Sequence, residues 1–265
     1  PEYSKEHLLY LNRLKRNNIL VHAVRIAVLL AFLLLWELSA RFEWINPFIT
    51  SSPSRIWDTV VSLYKNGTLF YHVGTTLWET LLGFFIAVVL GYGIALLLWW
   101  SEGFRKIAEP YLVVLNALPK IALGPLIIIW CGTGSKPIVF MTILIGLIVA
   151  ILNMLNGFME TDENKILLLR SMGAGKRQIL TKLVVPSSLP AFISMLKINV
   201  GMAWIGSVMG EYMVSKAGIG YLIVYGGQVF KLDLVMTAVV ILCLLAAGMY
   251  AIVPLVEKAV IKNTR

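Results

Sequence analysis

The chain reads as an all-α integral membrane protein with six transmembrane helices, and three observations carry that reading. Of its 265 residues, 58% are apolar and 14% charged, against about 45–50% and about 25% in soluble domains. Apolar stretches of roughly 20 residues, the length that carries a helix across about 30 Å of hydrocarbon, recur six times along it. Its 23 lysines and arginines flank those stretches instead of gathering on one basic face. A chain this apolar is not disordered, and two cysteines, Cys131 and Cys243, cannot staple it as a disulfide scaffold. With the net charge of +9 spread over segment edges, no nucleic-acid partner is expected; the expected contact is membrane lipid.

Taken in order, residues 1–22 form a cytoplasmic or interfacial segment, in which Leu8, Leu9, Leu11 and Leu14 among His7, Arg13 and Arg16 predict a helix resting on the inner surface. A purely electrostatic tether is the alternative. Residues 23–265 form one six-helix domain. The first span, Ala23–Ala40, is too long for a signal-peptide core and lacks a small-residue cleavage site, so it reads as retained. Next, Ser51, Ser52 and Pro53 ahead of Ile56, Trp57, Val60, Val61 and Tyr64 predict a capped amphipathic helix on the outer surface. The remaining spans are Thr76–Trp100, Ile107–Cys131, Pro137–Phe158, Pro190–Met213 and Leu234–Val256. An even count puts both termini on one side. Sixteen of the basic residues fall on the side of the amino terminus, six on the other, and Lys120 inside the third span. Lysine and arginine are retained on the cytoplasmic side, so both termini are expected in the cytoplasm.

Pro119, Lys120, Gly124 and Pro125 interrupt the third span. Proline at membrane depth is tolerated where protein or a wet cavity satisfies the freed backbone groups. This helix is therefore expected to be broken and to face protein; a plain kink against a neighbour and a direct place in a solute path both fit. Glu37, Glu79, Glu109, Lys120 and Glu211 lie in or at the ends of spans, where an ionisable group is costly. Most sit within a turn or two of a predicted membrane edge, which favours snorkelling to the interface, whereas Lys120 is expected to face a path or its gate. In the fifth span, Gly206 and Gly210 are spaced for close helix packing. Small residues and methionines there, with Asn153, Asn199, Met202, Trp204 and Met209, also fit a lining of the route.

Residues 159–189, between the fourth and fifth spans, are too polar to cross a membrane and too patterned to be disordered. Two short helices joined at a glycine bend are expected. Ile166, Leu167, Leu169 and Met172 give the first an apolar face, and Ile179, Leu183 and Val184 give the second another. Gly173 permits the bend, and Pro186 ends the second helix. So much apolar surface on a solvated loop needs a cover. A partner protein and the chain's own membrane domain are both open as that cover.

Gly173, nine residues, then Leu183, Val184, Val185 and Pro186 resemble the EAA loop of ABC importer permeases, whose pattern is E-A-A, three residues, G, nine residues, I-x-L-P. The stretches Pro53 to Ile56, Gly67 to Leu69, Gly83 to Ala87, Leu118 to Gly134 and Glu211 with Gly218 to Ile223 resemble the nitrate/sulfonate/taurine branch in the same order. Leu167, Leu168 and Leu169 stand where the pattern has Glu-Ala-Ala, so its acidic residue is missing. The resemblance implies a type I ABC importer fold and a cytoplasmic loop seated in a groove of an ATPase subunit. The coupling residues it implies are Leu167, Leu168, Leu169, Arg170, Gly173, Ala174, Leu183 and Pro186. The leucines imply an unusually apolar seat. It further implies a second permease subunit, in a homodimer, and an extracytoplasmic solute-binding protein, all in the cytoplasmic (inner) membrane.

No ATPase is expected within the chain. A P-loop needs G-x-x-x-x-G-K-[ST], whereas Gly175-Lys176 is followed by Arg177 and the first glycine position holds Arg170. ATP and magnesium are thus expected on the partner subunit, with no cofactor here. His7, His22 and His72 are scattered without metal-ligand spacing, and neither a G-x-S-x-G elbow nor an H-E-x-x-H motif occurs, so neither a metal site nor an enzyme is expected. The rival readings are a transporter or channel driven by an ion gradient, which calls for repeats and deep paired ionisable residues, and a scaffold without transport.

Overall fold

A computed structural model describes residues 5–262. Thirteen α-helical elements follow one another: α1 (Lys5–Arg41), α2 (Pro47–Thr50), α3 (Pro53–Lys65), α4 (Thr68–Trp100), α5 (Glu102–Ala117), α6 (Gly124–Cys131), α7 (Ser135–Met159), α8 (Glu163–Ser171), α9 (Lys176–Ile179), α10 (Val185–Ser187), α11 (Leu189–Val214), α12 (Ile219–Gln228) and α13 (Leu232–Lys262). A 3₁₀ turn, Lys120–Leu123, precedes α6, and a π turn, Leu180–Val184, joins α9 to α10.

Five helices are long and apolar enough to span a membrane, and α5 with the segment Lys120–Cys131 makes a sixth, bent by 86°. The break falls at Leu118 and Pro119, as the proline predicts: the expected broken span Ile107–Cys131 is two helices meeting nearly at a right angle, the first of them starting earlier, at Glu102. The fourth and fifth spans start and stop within two residues of their expected ends, whereas α4 begins eight residues early and α13 runs on to Lys262. Helix α1 passes unbroken through residue 22; the side chains of Leu8, Leu9 and Leu11, assigned to an interfacial face, lie outside the described residues.

Helix α7 packs most extensively, on α4 and α11, and the three form the centre of the bundle. Small residues set how closely they approach. A Cβ at Gly206 would meet the backbone of Thr142, and one at Gly210 the backbone of Ile138, so the spacing in α11 does bring two helix backbones together. The main core runs from Val88, Ala95 and Leu98 through Ile151, Met154 and Phe158 to Met195. A second cluster joins Ile193, Val200 and Trp204 to Met249 and Val253 of α13.

The amphipathic helix expected after Ser52 is α3. The Ser52 hydroxyl accepts the Arg55 N–H, Pro53 opens the helix, and Ile56 is buried. Glu37 of α1 accepts both the Ser54 N–H and its hydroxyl, each at 3.0 Å. That carboxylate tethers two helices instead of reaching for the interface.

Candidate functional site

The loop after α7 splits into two limbs with opposite surroundings. Asp162 caps α8 by accepting the Asn164 N–H at 2.9 Å. The helix ends in a left-handed residue, Gly173 at φ +82°, with the Gly173 N–H on the Arg170 carbonyl and the Ala174 N–H on that of Leu169. This is a Schellman-type stop, in which glycine alone avoids the cost of positive φ. A Cβ at Gly173 would meet nothing within 4 Å, so the requirement is conformational and not steric.

Beyond that bend the chain folds back on its own bundle. Ile179 and Val184 are 2% and 0% exposed and join the main core beside Leu98, Met154 and Phe158. The Lys176 ammonium lies 5.8 and 5.5 Å from the rings of Trp99 and Trp100 and donates to the Trp100 carbonyl at the end of α4. Ile166, Leu169 and Ala174 pack partly against the same core. By contrast Leu167, Leu168 and Met172 are 65%, 59% and 73% exposed, and Arg170 and Pro186 also face outward while Leu183 is half-buried. The two limbs therefore differ in cover. The return limb is covered by the chain itself, and the α8 ridge of Leu167, Leu168 and Met172 is covered by none of the described residues.

At the break of the third span, Lys120 is half-buried and its ammonium donates to the Asn116 carbonyl at 3.2 Å. It satisfies one of the acceptors that the interrupted helix leaves free. Of the other residues expected along a route, Asn199 and Trp204 are buried inside the bundle at 1% and 7% exposure. Asn153, Met202 and Met209 are half-buried.

A second constellation, at the opposite end of the bundle from α8, escaped the sequence reading. His72, Thr76, Glu79 and Thr80 run down one face of α4, opposite Ser207 and Glu211 of α11, and all six are buried. Three successive amides at the start of α12 point into it. The Gly218 N–H donates to His72 Nδ1 at 3.1 Å, that of Ile219 to the Thr76 hydroxyl at 2.7 Å, and that of Gly220 to Glu211 Oε2 at 2.5 Å. The Thr80 and Ser207 hydroxyls meet at 2.7 Å. Glu79 and Glu211 thus face protein and not the interface, which corrects the expectation of snorkelling. The signal was present: positions 72, 76, 79 and 80 repeat at helical spacing and line one face, a polar stripe in an otherwise apolar helix. Among the described residues no group of three or more histidine, cysteine or acidic side chains could hold a metal ion.

Comparison with known proteins places this architecture. The family described as binding-protein-dependent transport system inner membrane component matches residues 80–262. The formylaminopyrimidine transport permease protein ThiX of Halalkalibacterium halodurans is 33% identical over 192 residues, covering 72% of this chain and 76% of that protein. The taurine transport system permease protein TauC of Escherichia coli is 24% identical over 226 residues, covering 83% and 82%. Among solved structures, the inward-facing MetNI methionine ABC transporter aligns with a TM-score of 0.62 at 19% identity over 72% of this chain and 97% of that one. A bacterial ABC transporter that imports alginate gives 0.62 at 14% over 94% and 99%. The fold is that of ABC importer permeases. The chain belongs to the family of binding-protein-dependent inner-membrane transport components: it is a multi-pass permease and not an enzyme.

Proposed function

We propose that the chain is one of two permease subunits, a homodimer, that enclose the path of an ATP-driven importer. ATPase subunits carrying ATP and magnesium dock on residues 159–189 in the cytoplasm, where both termini also lie. An extracytoplasmic binding protein delivers the solute at the α12 end. The solute belongs with the small molecules named for the relatives, a sulfonate, taurine or a formylaminopyrimidine-like heterocycle, or with nitrate, which the family resemblance adds.

The single observation that carries this reading is the α8 ridge: Leu167, Leu168 and Met172 project from a loop whose other limb is already anchored. An exposed apolar patch on an otherwise sealed loop marks a protein contact. Because Arg170 lies between those leucines and the Gly173 bend, the expected partner groove is apolar with an acidic rim. Ala174, Leu183 and Pro186 frame the seat, while Leu169 holds it to the bundle. For the path itself, Lys120, Asn153, Met202 and Met209 are the proposed lining; the buried Asn199 and Trp204 act as support behind it.

The test is affinity purification of the tagged chain from its native membrane, followed by uptake in proteoliposomes. An ATPase is expected to co-purify and uptake to require ATP. Uptake that ignores ATP and follows an ion gradient would return the chain to the gradient-driven class.

A further inference from the structure

Where α4 ends, the chain gathers cations that it does not neutralise. The span closes on Trp99 and Trp100, side chains of the kind that sit at the headgroup level of a bilayer. Against Trp99 lies a cavity of about 260 Å³, room for several water molecules. Three segments bound it: the start of α5, the end of α7 and the loop from α8 into α9.

Its lining divides in two. Trp99, Ile166, Ala174 and the buried Ile179 make the apolar part, and Arg105, Arg170 and Lys176 the cationic part. Among the described residues no carboxylate meets any of these three cations, and the four ion pairs that occur use others. Glu102 also lines the cavity, but its carboxylate is engaged by Lys106 at 2.8 Å. The half-buried Arg105 guanidinium has a single acceptor among the described residues, Met159 Sδ at 2.9 Å, a weak one for a group with five donors. Lys176 donates to the Trp100 carbonyl and lies over both indoles, contacts that orient an ammonium without cancelling its charge.

We propose that this cavity holds the phosphate of an anionic phospholipid, bound by Arg105 from α5 and by Arg170 and Lys176 from either side of the Gly173 bend, with the glycerol end laid over Trp99 and Ile179. Basic pockets at the edge of spans take such headgroups, and arginine matches a phosphate with two parallel hydrogen bonds. The apolar part of the lining selects a lipid over a soluble anion. Inorganic phosphate would leave it bare, whereas a lipid covers it with its glycerol and first methylenes. Because Arg170 precedes Gly173 and Lys176 follows it, one phosphate bridges both limbs of the loop to α5 and fixes the angle at which the α8 ridge stands. Without it, three like charges face one another across the bend and loosen it. The assignment rests on the membrane placement of the chain and needs no ATPase.

The experiment places the full chain in nanodiscs holding equal amounts of phosphatidylglycerol and phosphatidylcholine and counts the lipid retained on release by native mass spectrometry. The wild type is expected to keep phosphatidylglycerol in preference to phosphatidylcholine. The double variant Arg105→Gln and Lys176→Gln is expected to retain it roughly tenfold less. Arg177→Gln with Lys182→Gln removes the same charge from exposed positions of the same loop outside the cavity, and is expected to keep most of the preference. Arg105→Gln alone, which leaves Lys176 on its indoles, is expected to fall between and serves if the double variant does not fold. Chymotrypsin is expected to cut the wild-type loop more slowly in phosphatidylglycerol than in phosphatidylcholine. No lipid preference in the wild type, equal losses in the two double variants, or equal cleavage in both lipids would overturn the proposal. So would inorganic phosphate that slows cleavage as well in phosphatidylcholine alone, since the ligand would then be a soluble anion. Equal lipid retention with ATPase recovery lost only in the cavity variant would likewise overturn it, giving the cations to an acidic partner segment.

Discussion

The two ends of the bundle close in opposite ways. At the α12 end, polar groups are drawn inside and satisfy one another: His72, Thr76 and Glu211 receive three consecutive amides, and Thr80 meets Ser207. At the α8 end, the seal is apolar, with Ile179 and Val184 set into the core and Lys176 laid over two indoles, yet a ridge of large apolar side chains stays outside. Buried polar groups are expensive unless mutually satisfied, and at the first end most are, with one oxygen each of Glu79 and Glu211 left unpartnered. Exposed apolar surface has no such internal remedy, so the second end is incomplete. The hydrophobicity left over at the α8 end therefore indicates a partner held there by apolar contact.

Four variants would sharpen or break that contrast. The largest loss is expected from Gly218→Val, because φ of +104° and the Glu211 carboxyl both exclude the new side chain. About 3 kcal/mol or more of destabilisation is expected, read as a collapsed thermal midpoint; a near-wild-type midpoint would mean that the α12 end is loosely packed. Next is Ile179→Ala, expected to cost about 2–4 kcal/mol by leaving a cavity in the main core. Proteolysis should then enter the loop first, and unchanged resistance would detach the return limb from the core. Gly173→Val should cost roughly 1–2 kcal/mol from positive φ alone, tilt α8 and uncouple ATP hydrolysis from uptake in the reconstituted importer; coupled turnover at the wild-type rate would show that the bend is dispensable. Smallest in stability is the double change Leu167→Ser and Leu168→Ser, within about 0.5 kcal/mol of the wild type because both side chains are already exposed. Its expected effect is on partner recovery, and an ATPase retained in full through affinity purification would mean that the ridge is not the seat.

Much of this was readable before any coordinates. Apolar runs are a length signal, and five of the six stand as single long helices while the third is a bent pair; α3 was legible because a serine cap, a proline and an apolar stripe agree. Pro119 announced a break, but nothing local to Leu118 and Pro119 specifies 86°; that angle comes from how the two pieces pack. Depth along a helix was judged better than direction around it. Glu79 and Glu211 do lie toward span ends, and the position alone favours the interface, whereas their burial inside the bundle depends on the rotation of α4 and α11. The loop was divided correctly at Gly173, but which limb would be covered depended on Trp99 and Trp100, some 75 residues earlier, reaching Lys176.

Helix α1 has its main contacts with the short elements α2 and α3, and none of its most apolar stretch is buried among the described residues. Among the described residues its attachment lies at one extremity, near Glu37 and Ala40. Such a helix is an outrigger: it can swing in the bilayer plane about a single pivot without disturbing the bundle's own packing.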